Sequence, residues 1–316
     1  MANKQTAIAS PLKRKALLVS LTISQWSARK LDRKITTETN KRYAATEDAG
    51  RYNKLLIGGS YLAELQGLVS EARLLHYRVT RPWADEGPRI LPNALYENFS
   101  NNFRELKQKF EVAKKNFIRV YPEAVKQRQK QLNGAFDPAD YPSVEEMEHK
   151  FQMTLRFMPL PDADDFRSDL DSEIVEDIRQ EIAEASDQAV AGAMKATIEQ
   201  IIATVGHMAE RLKDYKPAEV EYAQPTRRKS GKGKRTTLEK AEGVFRDSLV
   251  KNVRELVDLL PAFNLTNDPE LDKITKRMAK ELCAEDADEL RKNDKARKSV
   301  AKSADDILAD VSKFLS

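Results

Sequence analysis

Six cations and no acid stand between residues 223 and 237: Arg227, Arg228, Lys229, Lys232, Lys234 and Arg235. Lysine and arginine at this density neutralise phosphates and release counterions, the dominant chemistry of nucleic-acid binding. No aromatic residue is interleaved between Arg227 and Arg235 to stack on bases. Gly231 and Gly233 do not form a phosphate-binding loop, because no Walker pattern surrounds them and no strand pattern precedes them. The segment is either a nucleic-acid contact or a solvated connection between helices, and the connection is the plainer reading.

The other chemistry-bearing residues are sparser. Asp162, Asp164, Asp165, Asp169 and Asp171 cluster as a metal site would, but without the glycine and terminal glutamate of a calcium loop. An acidic helix start explains them as well, since the positive end of the helix dipole favours carboxylates. His76, His149 and His207 are far apart and lack partners at zinc-ligand spacing. Cys283 is the single cysteine, with no histidine base near it in sequence, and reads as a small half-buried residue. No nucleophile elbow or dinucleotide fingerprint occurs. No catalytic residue, cofactor or metal is therefore expected. The lone cysteine excludes an internal disulfide framework, and no apolar run approaches the ~20 residues that span a bilayer. A cytoplasmic protein is expected, in the bacterial host cytoplasm if phage-encoded.

Charge is uneven along the chain. Of the net +4, residues 1–135 carry +13, residues 136–222 carry −13 and residues 223–237 carry +6. The basic front and acidic middle either attract each other within the fold or present two surfaces to partners.

These residues need elements to position them. Val19, Leu21 and Ile23 alternate with Ser20, Thr22 and Ser24, a strand pattern closed by Trp26, and Ser27 is a helix cap for Ala28-Arg29-Lys30-Leu31. Helical pattern resumes through Asn53–Ile57, breaks at Gly58-Gly59-Ser60 and runs again from Tyr61 to Tyr77. Residues 81–92 are a rigid, proline-rich connection in which Trp83 is a candidate contact residue. From Asn93, the residues Phe99, Phe103, Leu106, Phe110, Ala113, Phe117, Val120 and Ala124 alternate spacings of 4 and 3, an apolar heptad seam, and Pro122 predicts a kink late in it. Phe151, Met153, Leu155 and Phe157 alternate as a second strand, whose expected partner is the one near Val19. A long helix is expected over 165–215, about 75 Å at ~1.5 Å per residue. It carries the stripes Ile174-Ile178-Ile182-Ala185-Ala189 and Ile198-Ile201-Val205-Met208-Leu212, with small residues Ala189–Ala193 between them. Further helices are expected at about 237–260, 268–292 and 295–315, the second capped by Asp268-Pro269.

Several landmarks resemble a phage and bacterial family catalogued as domain of unknown function 3150. They are Ser24-Gln25-Trp26-Ser27-Ala28-Arg29-Lys30, the Phe/Leu-rich helix Tyr96–Tyr121, the stretch from Phe136 to Phe151, and Arg156-Phe157-Met158-Pro159-Leu160-Pro161. The resemblance covers about residues 16–215 and leaves the tail uncovered. That family carries no established activity or catalytic residues. Its members neighbour a MoxR-type AAA+ ATPase and a von Willebrand A-type protein, which implies an accessory role in an ATPase-driven system.

The sequence thus predicts a mainly α protein, an elongated helical hairpin or coiled-coil bundle with a small two-stranded α+β head. The expected layout is a flexible basic tail (1–15), a head (16–92 and 134–164), a hairpin (93–133 and 165–215), a disordered basic loop (216–237) and C-terminal helices (238–316). The expected function is a non-enzymatic structural or adaptor protein that binds protein partners, an AAA+ ATPase or further copies of itself. The alternative is DNA or RNA binding through the basic N-terminal region and the 227–235 loop.

Overall fold

The structure is a computed structural model that describes residues 15–163, 171–217, 220–222, 235–237 and 242–315. It is mainly helical, with a four-stranded antiparallel sheet and shorter two-stranded ones. The chain divides into two compact units. One comprises residues 18–80 and 95–158, the other 1–17, 81–94 and 159–316.

In the first unit, β1 (Ala16–Ser24) and β6 (Gln152–Met158) pair antiparallel with Val19 opposite Phe157, Leu21 opposite Leu155 and Ile23 opposite Met153. The expected partnership of these two strands is present. The sheet has the strand order β4-β5-β1-β6 and is wider than two strands, although β4 (Arg81–Pro82) and β5 (Arg89–Pro92) are counted with the second unit. The prolines sit at strand ends, where a missing N–H costs little, so Ile90 and Leu91 between them are fully buried.

Two local expectations fail together. Residues after Ser27 do not start a helix, and Asn53–Leu55 is not helical. Instead β2 (Arg29–Leu31) pairs with β3 (Asn53–Leu55), and Ala28 takes a positive φ of 52°. The helix α1 (Arg33–Arg42) begins later, where Asp32 accepts the Ile35 N–H at 3.0 Å. Aspartate is at least as good a cap as serine, and pairing satisfies the backbone of 29–31 without helix.

Helix α2 (Ala63–Val79) and the 40-residue α3 (Asn93–Leu132) complete this unit with the short α4 (Val144–Lys150). Ser143 and Glu146 close a reciprocal capping box on α4. The α3 seam buries Phe99, Phe103, Leu106, Phe110, Ala113, Phe117 and Ala124 as expected, but Tyr121 in place of Val120, which is 36% exposed. A straight helix drifts ~20° per heptad against a 3.5-residue repeat, so the buried line advances one residue. Tyr121 donates its hydroxyl to the Pro142 carbonyl at 2.8 Å and packs edge-on to Trp26. The helix runs through Pro122 without a break.

In the second unit, α5 (Ser172–Asp214) packs against α6 (Ser248–Phe263) and α9 (Asp294–Ser312), with α7 (Pro269–Leu282) and α8 (Ala287–Lys292) completing the bundle. Ile198, Ile201, Val205, Met208 and Leu212 are buried in its core with Leu256, Met278 and Ile307. The expected hairpin of the two long helices is therefore corrected. The α5 seam is covered by C-terminal helices of its own unit, whose amphipathic faces supply a longer apolar stripe. β4 also packs on α5, where Arg81 reaches Thr197 and Gln200. Ile174 and Ala185, in the other expected stripe, are exposed. The predicted 268–292 helix is two, interrupted after Cys283, while Asp268 caps α7 as expected through the Glu270 and Leu271 N–H groups. Among the described residues no helix is long and apolar enough to cross a membrane.

Candidate functional site

Five of the six loop cations, Arg227, Arg228, Lys229, Lys232 and Lys234, lie outside the described residues. The frame that holds the loop does not. Rather than an unstructured run from 216 to 237, β7 (Val220–Tyr222) pairs antiparallel with β8 (Arg235–Thr237), Tyr222 opposite Arg235. At the base, Lys216 and Glu242 exchange both backbone hydrogen bonds, at 3.0 and 3.1 Å, and their side chains form an ion pair at 2.9 Å. Gly243 comes next with a φ of +62°, and a Cβ there would stand 2.4 Å from the Asp214 carbonyl oxygen at the end of α5. Only glycine fits so close a return. The paired β7 and β8 thus flank the basic segment above a base that is rooted on the helical bundle.

The carboxylate cluster is only partly described. Asp164, Asp165 and Asp169 lie outside the described residues, and Asp171 caps α5 by accepting the Glu173 N–H at 3.2 Å. Among the described residues no group of three potential ligands gathers around a point. His76 is buried on α2 against Phe99, whereas His149 and His207 are exposed on α4 and α5. Cys283 is half-buried at the end of α7, and burial pushes its thiol pKa up, the opposite of nucleophile activation. Trp83 is half-buried, and Tyr96 packs edge-on to Phe157 at 5.1 Å.

Sequence reasoning missed two buried cations. The first, Lys54, stands directly opposite Lys30 across β2 and β3, a repulsive pairing. Asp140 resolves it by bridging both, 2.7 Å from Lys30 and 2.6 Å from Lys54. The Lys54 ammonium also contacts Asp32 at 3.3 Å and donates to the Ala135 carbonyl at 2.8 Å. Burial alone would raise the Asp140 carboxyl, but the two ammoniums outweigh it and hold it below the usual carboxylate range. Burial opposes the Lys54 charge, and Asp140 and Asp32 override it, so Lys54 titrates above its ordinary value. A lysine held cationic in this way is a structural staple and a poor nucleophile.

The second is Arg81, buried in the other unit. Its Nε donates to Thr197 Oγ1 at 2.9 Å, one terminal nitrogen donates to Gln200 Oε1 at 2.5 Å, and the guanidinium lies 3.4 Å over the Phe263 ring centroid. Burial, and then the charge of Arg89, pushes it down to about 9, which leaves it cationic at neutral pH. It fastens β4 to α5 and α6. The alternation at Arg81-Pro82 is too short to signal either strand or burial.

One open concavity lies within the first unit. A groove of about 520 Å³ runs between α2 and α3, lined by Glu71, Leu74, Leu75 and Arg78 on one side and Asn102, Glu105, Leu106 and Lys109 on the other. Leu75 and Leu106 form a buried floor, and Leu74 stands 71% exposed at the rim. Each helix contributes residues at i, i+3, i+4 and i+7, the spacing that makes a continuous surface along a helix. Comparison of the whole chain with known protein families, with curated proteins and with solved structures finds no match.

Proposed function

We propose that this protein is a non-enzymatic adaptor whose α2–α3 groove receives an amphipathic helix of a protein partner. The observation that carries the reading is Leu74, a large apolar side chain left in water beside a leucine floor and charged groups of both signs. That is the chemistry of helix-in-groove recognition, in which apolar anchors at helical spacing fill the floor and charges fix the register. The resemblance to domain of unknown function 3150 adds the kind of partner, a MoxR-type AAA+ ATPase such as neighbours the members of that family. The test is light scattering on chromatographed mixtures of the full chain and that ATPase. A stoichiometric complex that Leu74→Asp abolishes, with the variant's thermal melt unchanged, is expected. Overturning results are the absence of any complex, a complex indifferent to Leu74→Asp, and a groove occupied by a second copy of the chain.

A second reading, nucleic-acid binding through the 227–235 loop, is favoured by the paired β7 and β8 and the Lys216–Glu242 base. Paired strands on a rooted base, flanking a stretch with six cations and no acid, are a means of reaching phosphates. Replacing the six by glutamine should flatten the salt dependence of binding to DNA or RNA, and an unchanged dependence removes this reading.

A further inference from the structure

The lobe built by β2, α1 and the segment leading to β3 presents an exposed cationic surface. Arg29, Arg33, Lys34, Lys41, Arg42 and Arg51 are all exposed, and none has an ion-pair partner among the described residues. Four arginines of the bundle, Arg254, Arg277, Arg291 and Arg297, are each ion-paired. The exposed carboxylates of the lobe are fewer, Glu38, Glu47 and Asp48.

The fold does not ask for these charges. Arg33 and Lys34 occupy the first turn of α1, where the Asp32 cap supplies the one nearby carboxylate and the helix dipole disfavours cations. Lys41 and Arg42 at the other end suit the dipole, but Arg29 and Arg51 answer to no helix end.

Two tyrosines accompany them. Tyr43 is 75% exposed and Tyr52 is 43% exposed. Their rings are in water, yet their backbones are fixed. The Tyr52 N–H donates to Thr36 Oγ1 at 3.0 Å and its carbonyl accepts the Asp32 N–H at 2.9 Å. Tyr43 terminates α1, and the segment after it is folded back by buried Asn40, whose side chain donates to the carbonyls of Glu47 and Gly50. Fixed backbone and exposed ring make a stacking platform that loses little freedom when covered.

We infer that this lobe is a contact surface for single-stranded nucleic acid, with Tyr43 and Tyr52 stacking on bases while Arg33, Lys34, Lys41, Arg42 and Arg51 neutralise phosphates. Exposed aromatic faces among cations are what binding of a single strand needs, and they are what the 227–235 loop lacks. The surface is separate from that loop and does not depend on it.

The experiment is fluorescence anisotropy of a labelled oligothymidylate with the full chain in which the six loop cations are already glutamine. Binding in this background is expected, weakening with salt. Replacing Arg33, Lys34 and Arg51 by glutamine should lower the slope of log K against log salt by about 2, near 0.7 for each phosphate no longer neutralised. Tyr43→Ala should weaken binding about tenfold or more, while Tyr43→Phe should not. Thermal melts of the charge variants should be no lower than the background, since the helix start loses repulsion. If the natural chain binds and the background does not, the loop reading stands and this inference falls. If neither binds, both fall. If the background binds but ignores Tyr43→Ala and Tyr52→Ala, or polyglutamate displaces the strand equally well, the lobe is a general anion surface and the inference is wrong.

Discussion

Asp140→Asn strikes the charge that joins two lysines of the first unit. The substitution keeps the side-chain shape and removes one charge. Lys54, with a side chain 5% exposed, then faces Lys30 across the ladder with only Asp32 at 3.3 Å to offset it. Breaking a buried pair from one side costs about 3–5 kcal/mol, because the remaining charge is left uncompensated. The Ala135 carbonyl and Asp32 still hold the ammonium, so about 3 kcal/mol is expected. Urea unfolding in a Trp83→Phe background reads this unit through Trp26, the other of the two tryptophans, which packs on Tyr121. Adding Lys54→Met should recover much of the loss, since the second substitution removes the stranded charge. Acid supplies a second check. Asp140 titrates below its ordinary value, so its contribution is complete above pH ~3.9 and is lost as pH falls through its folded value. Lys54 is shifted up, so its contribution is held below pH ~10.4 and is lost as pH rises through its folded value. Parent and Asp140→Asn should therefore differ by a constant amount across neutral pH and converge in acid. A loss under about 1 kcal/mol, or one that persists undiminished in acid, would refute the bridging role.

The α3 seam predicts a contrast between neighbours in the original heptad. Phe110→Ala should cost about 3–5 kcal/mol, whereas Val120→Ala should stay within about 0.5 kcal/mol by the same urea titration. At the hairpin base, Gly243→Ala should accelerate amide hydrogen exchange of Lys216 and Glu242 and cost more than about 1 kcal/mol, from the positive φ and the close Asp214 carbonyl. Unchanged exchange at both amides would contradict the crowding argument.

The elements legible in the sequence were those whose signal is local and repeated. The β1 and β6 alternations, the α3 seam as far as Phe117 and the Asp268-Pro269 cap each state their environment within a few residues. What was hidden depended on partners distant in sequence. Asn53–Leu55 is three residues long and includes a lysine, so nothing in it marks a strand until Arg29–Leu31 is beside it. The coverage of α5 failed for a similar reason. Two long seams in one chain invite pairing with each other, but a seam records only that it is buried and not against what.

The same distinction separates polar residues that the fold consumes from those it leaves over. Nothing in the sequence marks Lys54 or Arg81, and the structure uses both inside: one beneath a carboxylate bridge, the other between Thr197 and a phenylalanine ring. Arg33 and Lys34 are equally ordinary in sequence, yet the structure sets them at a helix end that repels them and supplies no ion-pair partner among the described residues. Burial explains the first pair, whereas stability argues against the second. Cations retained against the local dipole, beside tyrosines whose backbones are fixed and whose rings are in water, are charges that local stability does not explain, and the inferred single-strand contact would give them a use.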